Sequence, residues 1–571
     1  MAFKKRALLT LVLNLGIIVL AHLYYYYDLS LFLQNLTGGL LLGTTLVNYE
    51  FISKDNKNLA HSENLKIIAN HVKVLYLLYS FVAIVALYFF TLNQKLGNFQ
   101  LFMIMYYFGM VYSGLSLYTF KQDFNLINIP NRLPLIRYLL RFIIITVGIT
   151  LFFGMANIIF NFGSIVSIGS GLMLSAGSFY VLLGLFPLWL IPKRIYDKQK
   201  EKIRYWILNI AGIILILLFL FPLVSMPWTF SNANAQFQEE FGNNWRTENG
   251  EGNENLIESP FKLSTPFFGE ENQLAEGIDY DLKTNIIYKN ETEYQLYYNI
   301  YYPTPSANEE GFGYNKTIIF VHGGGWVGGT KNNSPHLLKY FAAQGYVVFA
   351  IDYRLTDINL LDAEAEIGFD IPDMESSDLE YLNGPYRIPD MMKDIGDFTH
   401  HLASLSDEER MYADINDVIF LGQSAGAYLS ALVGFGYNHP RFMGNFSQSL
   451  NITNLILYYP PIFADHFFYG HKAFHNEFQM IPGTPETNPD DYHYLTPTNL
   501  IDENDPPALL LHGTFDDLVP IENSDAVKME MNNIGLSCIQ IKIPFIGHGF
   551  TNNPQYHSLE LFYLERWLLN A

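Results

Sequence analysis

Apolar residues fall into two regimes along this chain. Up to about residue 226 they come in long, nearly unbroken stretches at 7–26, 31–47, 72–92, 99–120, 135–160, 164–191 and 205–226. Each approaches or exceeds the ~20 residues a helix needs to cross a bilayer. The second, with Gln34, Asn35 and paired glycines, is the weakest. Residues 231–284, and 236–256 above all, are rich in Asn, Glu and Gly with little apolar periodicity, which predicts an acidic, solvated linker. From residue 285 the pattern changes again. Leu296, Tyr298, Ile300 and Tyr302 alternate as in a strand with two unlike faces. Short β-branched runs follow at 317–321, 347–351, 418–421, 455–459, 508–511 and 539–543, with helical patterns between them at 335–344, 391–405, 425–435 and 525–534. Strands alternating with helices predict an α/β fold, a mainly parallel sheet covered on both faces. Catalytic groups in such sheets lie at the carboxyl ends of the strands. The expected organisation is therefore an all-α transmembrane domain over 1–230, a linker over 231–284 and a catalytic domain over 285–571. Insertions near 361–389 and 464–491 are expected to form caps. Phe467, Phe468, Tyr469 and Phe474 in the second could line an acyl pocket or form the cap's own core.

Charge sharpens this division. Residues 1–230 hold 18 Lys+Arg and 7 Asp+Glu, whereas 231–571 hold 16 and 48. An acidic water-soluble half repels phosphate backbones, so nucleic acid is excluded as a partner. Membrane lipids are the partner the apolar half implies. With seven spans, the basic clusters Lys4–Arg6, Lys54/Lys57/Lys66, Lys121/Arg132 and Lys193–Arg204 all fall on the side of the N-terminus. The positive-inside rule then gives a cytoplasmic N-terminus and an extracytoplasmic catalytic half, and the plasma membrane is the expected location. The single cysteine, Cys538, excludes an intrachain disulfide framework and reads as a buried thiol in a strand. Five Asn-x-Ser/Thr patterns in the acidic half are expected mostly by chance. His400 and His401 read as surface residues of a helix. The cluster His466, His471 and His475 lacks regular ligand spacing, and no metal is assigned.

The chemistry lies in four segments. Residues 418–426 run from a buried strand into Gly422-x-Ser424-x-Gly426 and then a helix. That context forces the serine into a strained turn with its Oγ projecting above the sheet, the flanking glycines leaving it room. Residues 317–326 end a second strand in His322-Gly323-Gly324-Gly325. Glycines let backbone N–H groups approach a developing oxyanion, so Gly324 and Gly325, with the N–H of Ala425, form the expected hole. His322 is expected to shape that loop. A serine hydroxyl needs a base, and the base a carboxylate to fix its tautomer. After the elbow the chain offers the acids Asp516 and Asp517 at a strand end, then His548 between glycines.

Together His322-Gly-Gly-Gly-Trp326, Asp352-Tyr-Arg354, Gly422-Gln-Ser-Ala-Gly426, His512-Gly-x-x-Asp516 and Gly547-His-Gly-Phe550 resemble the α/β-hydrolase esterases with an HGGG-type oxyanion motif. That group includes bacterial carboxylesterases of the BD-FAE kind, kynurenine formamidase and isoprenylcysteine methylesterase. The resemblance covers about residues 285–571. It implies the triad Ser424, His548 and Asp516, the first acid of the doublet being the catalytic one in this pattern. It also implies an acyl-enzyme mechanism without metal or organic cofactor. The expected substrates are short-chain, lipid-linked or acetylated surface esters. An amidase, formamidase or peptidase with the same triad is the alternative, as is a methylesterase of prenylated proteins, which the loop charges oppose. A binding protein on an inactive hydrolase fold is the reading from another class.

Overall fold

The computed structural model describes residues 2–26, 31–53, a few positions within 105–113 and 178–185, and then 202–246, 256–268, 280–304, 313–314, 316–356, 383–466 and 480–571. Among the described residues, two helical stretches are long and apolar enough to cross a membrane, Lys5–Leu23 and Lys202–Phe241. The first belongs to α1 (Ala2–Tyr26), which packs against α2 (Leu31–Ser53). Asn14 and Asn48 join these helices through reciprocal side-chain amide bonds of 2.7 and 2.9 Å. The doubtful second stretch is thus helical, held to its neighbour by buried polar groups. The expected spans at 72–92, 99–120, 135–160 and 164–191 lie wholly or largely outside the described residues.

The last apolar helix, α3 (Lys202–Val224), runs through a still-helical Ser225 into α4 (Met226–Phe241). This corrects the expected linker. Its first part, 231–241, is helical, and Phe237 is fully buried against Trp245 (4.8 Å between ring centroids) and Tyr563 (5.4 Å). Only a narrow face of α4 is apolar, so its Asn/Gln-rich composition hides the one residue in four that packs.

The acidic half is built on β1 (Tyr280–Asn290), β2 (Gln295–Pro303), β3 (Lys316–Val321), β4 (Val347–Ile351), β5 (Asp414–Gln423), β6 (Ile452–Tyr458), β7 (Ala508–Gly513) and β8 (Cys538–Ile543). They form one eight-stranded sheet in the order β1-β2-β4-β3-β5-β6-β7-β8. β2 runs antiparallel to β1 and β4, and every other pairing is parallel. The expectation that β2 has two unlike faces fails. Leu296, Tyr298 and Ile300 are buried on one face and Asn299 and Tyr301 on the other, because the sheet is covered on both sides.

Helices α6 (Ile388–Ser404), α7 (Ala425–Gly436) and α8 (Glu522–Asn533) contribute to the core on one face. On the other lie α4, α5 (Pro335–Ala343) and α9 (Pro554–Asn570). Strand β8 is an edge, and an exposed edge invites pairing with other chains. Here Gln236 of α4 closes it: its amide donates to the Gln540 carbonyl (2.7 Å) and its carbonyl oxygen accepts from the Gln540 N–H (3.1 Å). Cys538 opens β8 and is buried, its thiol pushed up to about 12 by burial. His400 is exposed, but its neighbour His401 is half-buried, 3.1 Å from the Tyr298 hydroxyl, which corrects its surface reading.

Candidate active site

The carboxyl ends of β3, β5, β7 and β8 bring the singled-out residues together. Ser424 sits between β5 and α7 at φ 52°, ψ −119°, a region costly for any residue but glycine. Its N–H donates to the Tyr458 carbonyl (2.9 Å), which ties the turn to β6. The flanking glycines are steric necessities. A Cβ on Gly422 would lie 2.4 Å from the Gly426 carbonyl oxygen, and one on Gly426 would lie 2.1 Å from that of Val321.

His548 completes the chain of hydrogen bonds. Its Nδ1 is 2.7 Å from Asp516 Oδ2 and its Nε2 is 2.8 Å from Ser424 Oγ. An ionised carboxylate only accepts, so Nδ1 carries the proton and Nε2 is left as acceptor for the serine hydroxyl. Asp516 is buried and fixed by more than the base. Its Oδ1 accepts from the N–H groups of Leu518 (3.0 Å) and Val519 (2.8 Å), and His512 Nε2 lies 3.3 Å from Oδ2. Burial alone would push this carboxyl up, but His548 and His512 outweigh it and hold it far below the usual carboxylate range. The Asp516 carboxylate is therefore kept ionised beside His548. The carboxylate 2.7 Å from His548 Nδ1 is that of Asp516, the first acid of the doublet.

The glycine loop lies over the elbow. A Cβ on Gly323 would meet the Gln423 carbonyl oxygen at 2.8 Å and Ser424 Cβ at 3.2 Å. Gly324 and Gly325 have φ of +128° and +61°, a left-handed path that favours glycine. His322 donates from Nδ1 to the Gly323 carbonyl (2.8 Å) and stacks on Tyr353 (4.3 Å, 12°), whose hydroxyl donates to the His322 carbonyl (2.8 Å). Burial lowers the His322 pKa, so it is a neutral brace of the loop.

Several supporting residues escaped the sequence reading. Lys331 donates from its backbone and its Nζ to Asp352 (both 2.8 Å). Arg354 grips fully buried Asp394 through Nε (2.8 Å) and Nη2 (2.9 Å), and Lys289 reaches the same carboxylate (2.8 Å). The Asp352-Tyr-Arg354 motif is thus a clamp behind the glycine loop. Tyr459 packs its ring 4.3 Å from His548. Its position after a buried strand was the one available signal. Of the three histidines considered for a metal, His471 and His475 lie outside the described residues, as do Phe467, Phe468, Tyr469 and Phe474.

A different cluster gathers behind the site: His336, His557 and Glu560, with ligand atoms within 4.8 Å of one another. The two rings stack at 4.0 Å and 18°, and His336 Nε2 lies 3.3 Å from Glu560 Oε2. Stacked rings direct their in-plane lone pairs side by side, not toward a shared tetrahedral centre, so this is a hydrogen-bonded pair more than a metal site.

The BD-FAE family model matches residues 299–372 and 379–531. Esterase LipC of Mycobacterium tuberculosis is 23% identical over 258 residues, 43% of this chain and 57% of that protein. LipM of the same organism, a probable carboxylic ester hydrolase, is 23% identical over 242 residues, 41% of this chain and 49% of its own. The chain spans about half the length of these curated relatives. Among solved structures, esterase B from Lactobacillus rhamnosis aligns with a TM-score of 0.39 at 17% identity, over 62% of this chain and 95% of that one. Thermogutta terrifontis esterase 2 aligns at 0.37 and 20%, over 52% and 95%. The family match and the mostly parallel sheet support an α/β-hydrolase of the esterase kind.

Proposed function

We propose that this chain is a membrane-bound serine ester hydrolase. The observation that carries the reading is the unbroken chain Asp516–His548–Ser424, with 2.7 and 2.8 Å links on three different loops. In the acylation step Ser424 Oγ attacks the ester carbonyl as His548 Nε2 takes its proton. Charge on the carbonyl oxygen is met by the N–H groups of Gly324, Gly325 and Ala425, each such donor being worth roughly 3–4 kcal/mol of barrier. The alcohol leaves with the proton from His548. Water, activated by the same nitrogen, then releases the acid. Metal and organic cofactors have no part in this scheme.

An inactive binding protein would have no need to keep a strained serine bonded to a base whose carboxylate is held ionised. The multi-pass topology, with seven spans, a cytoplasmic N-terminus and an external catalytic half, is part of the proposal. The seven spans and their orientation rest on the apolar stretches and loop charges of the sequence, and the two apolar helices support a membrane segment. The test is labelling by a membrane-impermeant fluorophosphonate, on intact and detergent-opened cells, for wild type and Ser424→Ala. Labelling of intact cells that vanishes in the variant is expected. Labelling only of opened cells overturns the orientation, and none of either, with folded protein present, overturns the hydrolase.

A further inference from the structure

The join between α3 and α4 fixes which way the catalytic face looks. Along α4, Ser225 Oγ donates to the carbonyl of Pro544, just past the end of β8 (3.4 Å), whereas Gln236 bonds Gln540 within the strand. Helix α4 therefore runs from the carboxyl end of β8 back toward its amino end. Helix α3, on the far side of Ser225, must project beyond the carboxyl ends of the strands, the side that holds the triad.

The contacts there agree. Phe545, three residues before His548, stacks on Phe221 of α3 at 5.2 Å, and Phe515, the residue before Asp516, meets Phe545 at 5.2 Å. Phe515 also packs against the cluster Leu182, Leu185, Leu215 and Phe219. Phe219 and Leu215 precede Ser225 by six and ten positions, which at ~1.5 Å per residue is roughly 9–15 Å down the apolar helix. The loops carrying the acid and the base thus rest on, and partly enter, the membrane half.

The level of the bilayer can be read from α3 itself. Its 23 residues span about 34 Å, enough to cross the ~30 Å hydrocarbon layer. Exposed Trp206 and Trp228 mark its two ends, as aromatic side chains do at membrane interfaces. Between them Ile207, Ile210, Ile214, Leu217 and Val224 are exposed and apolar, as a lipid-facing stripe requires. Trp228 lies just past Ser225, so the interface is level with the carboxyl ends of the strands.

We infer that the substrate is an acyl ester of a bilayer amphiphile, taken from the membrane the chain itself spans; this rests on the serine hydrolase reading. The ester groups of such lipids lie at the hydrocarbon–headgroup boundary, the depth at which the triad faces the bilayer. The acyl group forms a bond to Ser424 Oγ as the bond to the lipid alcohol breaks, and the alcohol takes the proton from His548. Water then supplies the oxygen and proton that free the carboxylic acid, so ester and water give acid and alcohol with no further reactant.

The test uses the full chain in phosphatidylcholine vesicles and two fluorophosphonates with the same reactive head. One is anchored by two long alkyl chains that place phosphorus at ester depth, and the other is carried on a polyethylene glycol chain. The anchored probe is expected to label Ser424 at least tenfold faster at equal bulk concentration. Its rate should fall about tenfold when it is diluted tenfold with a non-hydrolysable ether lipid, while the soluble probe's rate does not change. Equal or faster labelling by the soluble probe, or an anchored rate indifferent to surface dilution, overturns the lipid substrate and leaves the hydrolase standing. Failure of both probes on folded protein overturns both readings.

Discussion

Gly426 is where the elbow and the glycine loop touch, and Gly426→Ala tests whether that contact positions the site. The new methyl would lie 2.1 Å from the Val321 carbonyl oxygen and 2.4 Å from that of His322. Neither can swing aside, since Val321 is paired on both sides, with Ile351 and with Gly422. Relief to ordinary contact demands a shift of about 1 Å, and the displaced piece is the strand end that leads into Gly323–Gly325. Misplacement on that scale costs about 100-fold in rate, and loss of one oxyanion donor about 100–1000-fold. The expected result is a fall in kcat/KM of about 100–1000-fold, with a loss of about 1–3 kcal/mol of stability from overpacking. Steady-state hydrolysis of p-nitrophenyl acetate by the full chain, beside its thermal unfolding, provides both numbers. Gly444→Ala is the control, because nothing lies within 4 Å of a Cβ there. A folded Gly426→Ala protein within about threefold of wild type would refute the argument that this contact sets the oxyanion hole.

Three further outcomes are expected. Asp516→Asn removes the carboxylate acceptor that fixes the His548 tautomer, so kcat should drop about 10⁴-fold, whereas Asp517→Asn should cost no more than about tenfold; equal losses would reassign the acid. Asp505 is buried and its carboxyl is pushed up to about 8 by that burial. Its folded value lies above the unfolded one, so its contribution is intact below about pH 4 and is lost as pH rises toward 8. Asp505→Asn should therefore raise the unfolding temperature relative to wild type at pH 8 and converge with it near pH 4, and a constant difference would sink the assignment. Phe237→Ala should cost about 3–5 kcal/mol in denaturant unfolding of the hydrolase half, as for a fully buried aromatic; a loss under 1 kcal/mol would return α4 to the status of a linker.

The parts of the fold that could be read from the chain are those where one local signal suffices. Residues 347–351 appear as a strand with the expected bounds, because a strand buried on both faces is a short apolar run between turns. The elbow and the base declared themselves by glycines that only tight turns demand. Strand β1 did not, since it is mostly exposed and broken by register shifts after Lys283 and after Ile287, so no alternation survives. Helix α4 was missed because its partner, the edge of β8, lies some 300 positions away, and α9 because its polar positions are buried beside other polar groups. Separations of 40 and 21 positions likewise hid the Arg354–Asp394 and Lys331–Asp352 clamps.

One face of the sheet is closed by the first and the last pieces of the catalytic half: Phe237 and Trp245 on one side, Tyr563 and Trp567 on the other. This sets the timing of biosynthesis. Translation at about 5–20 residues per second puts roughly 15–60 s between the emergence of Trp245 and that of Tyr563. During that interval α4 is already tied to the membrane helix but has no partner for its apolar side. The nascent hydrolase should remain open to protease until its final helix arrives, and chains arrested before residue 554 should be cut within β3–β7 where the released protein resists.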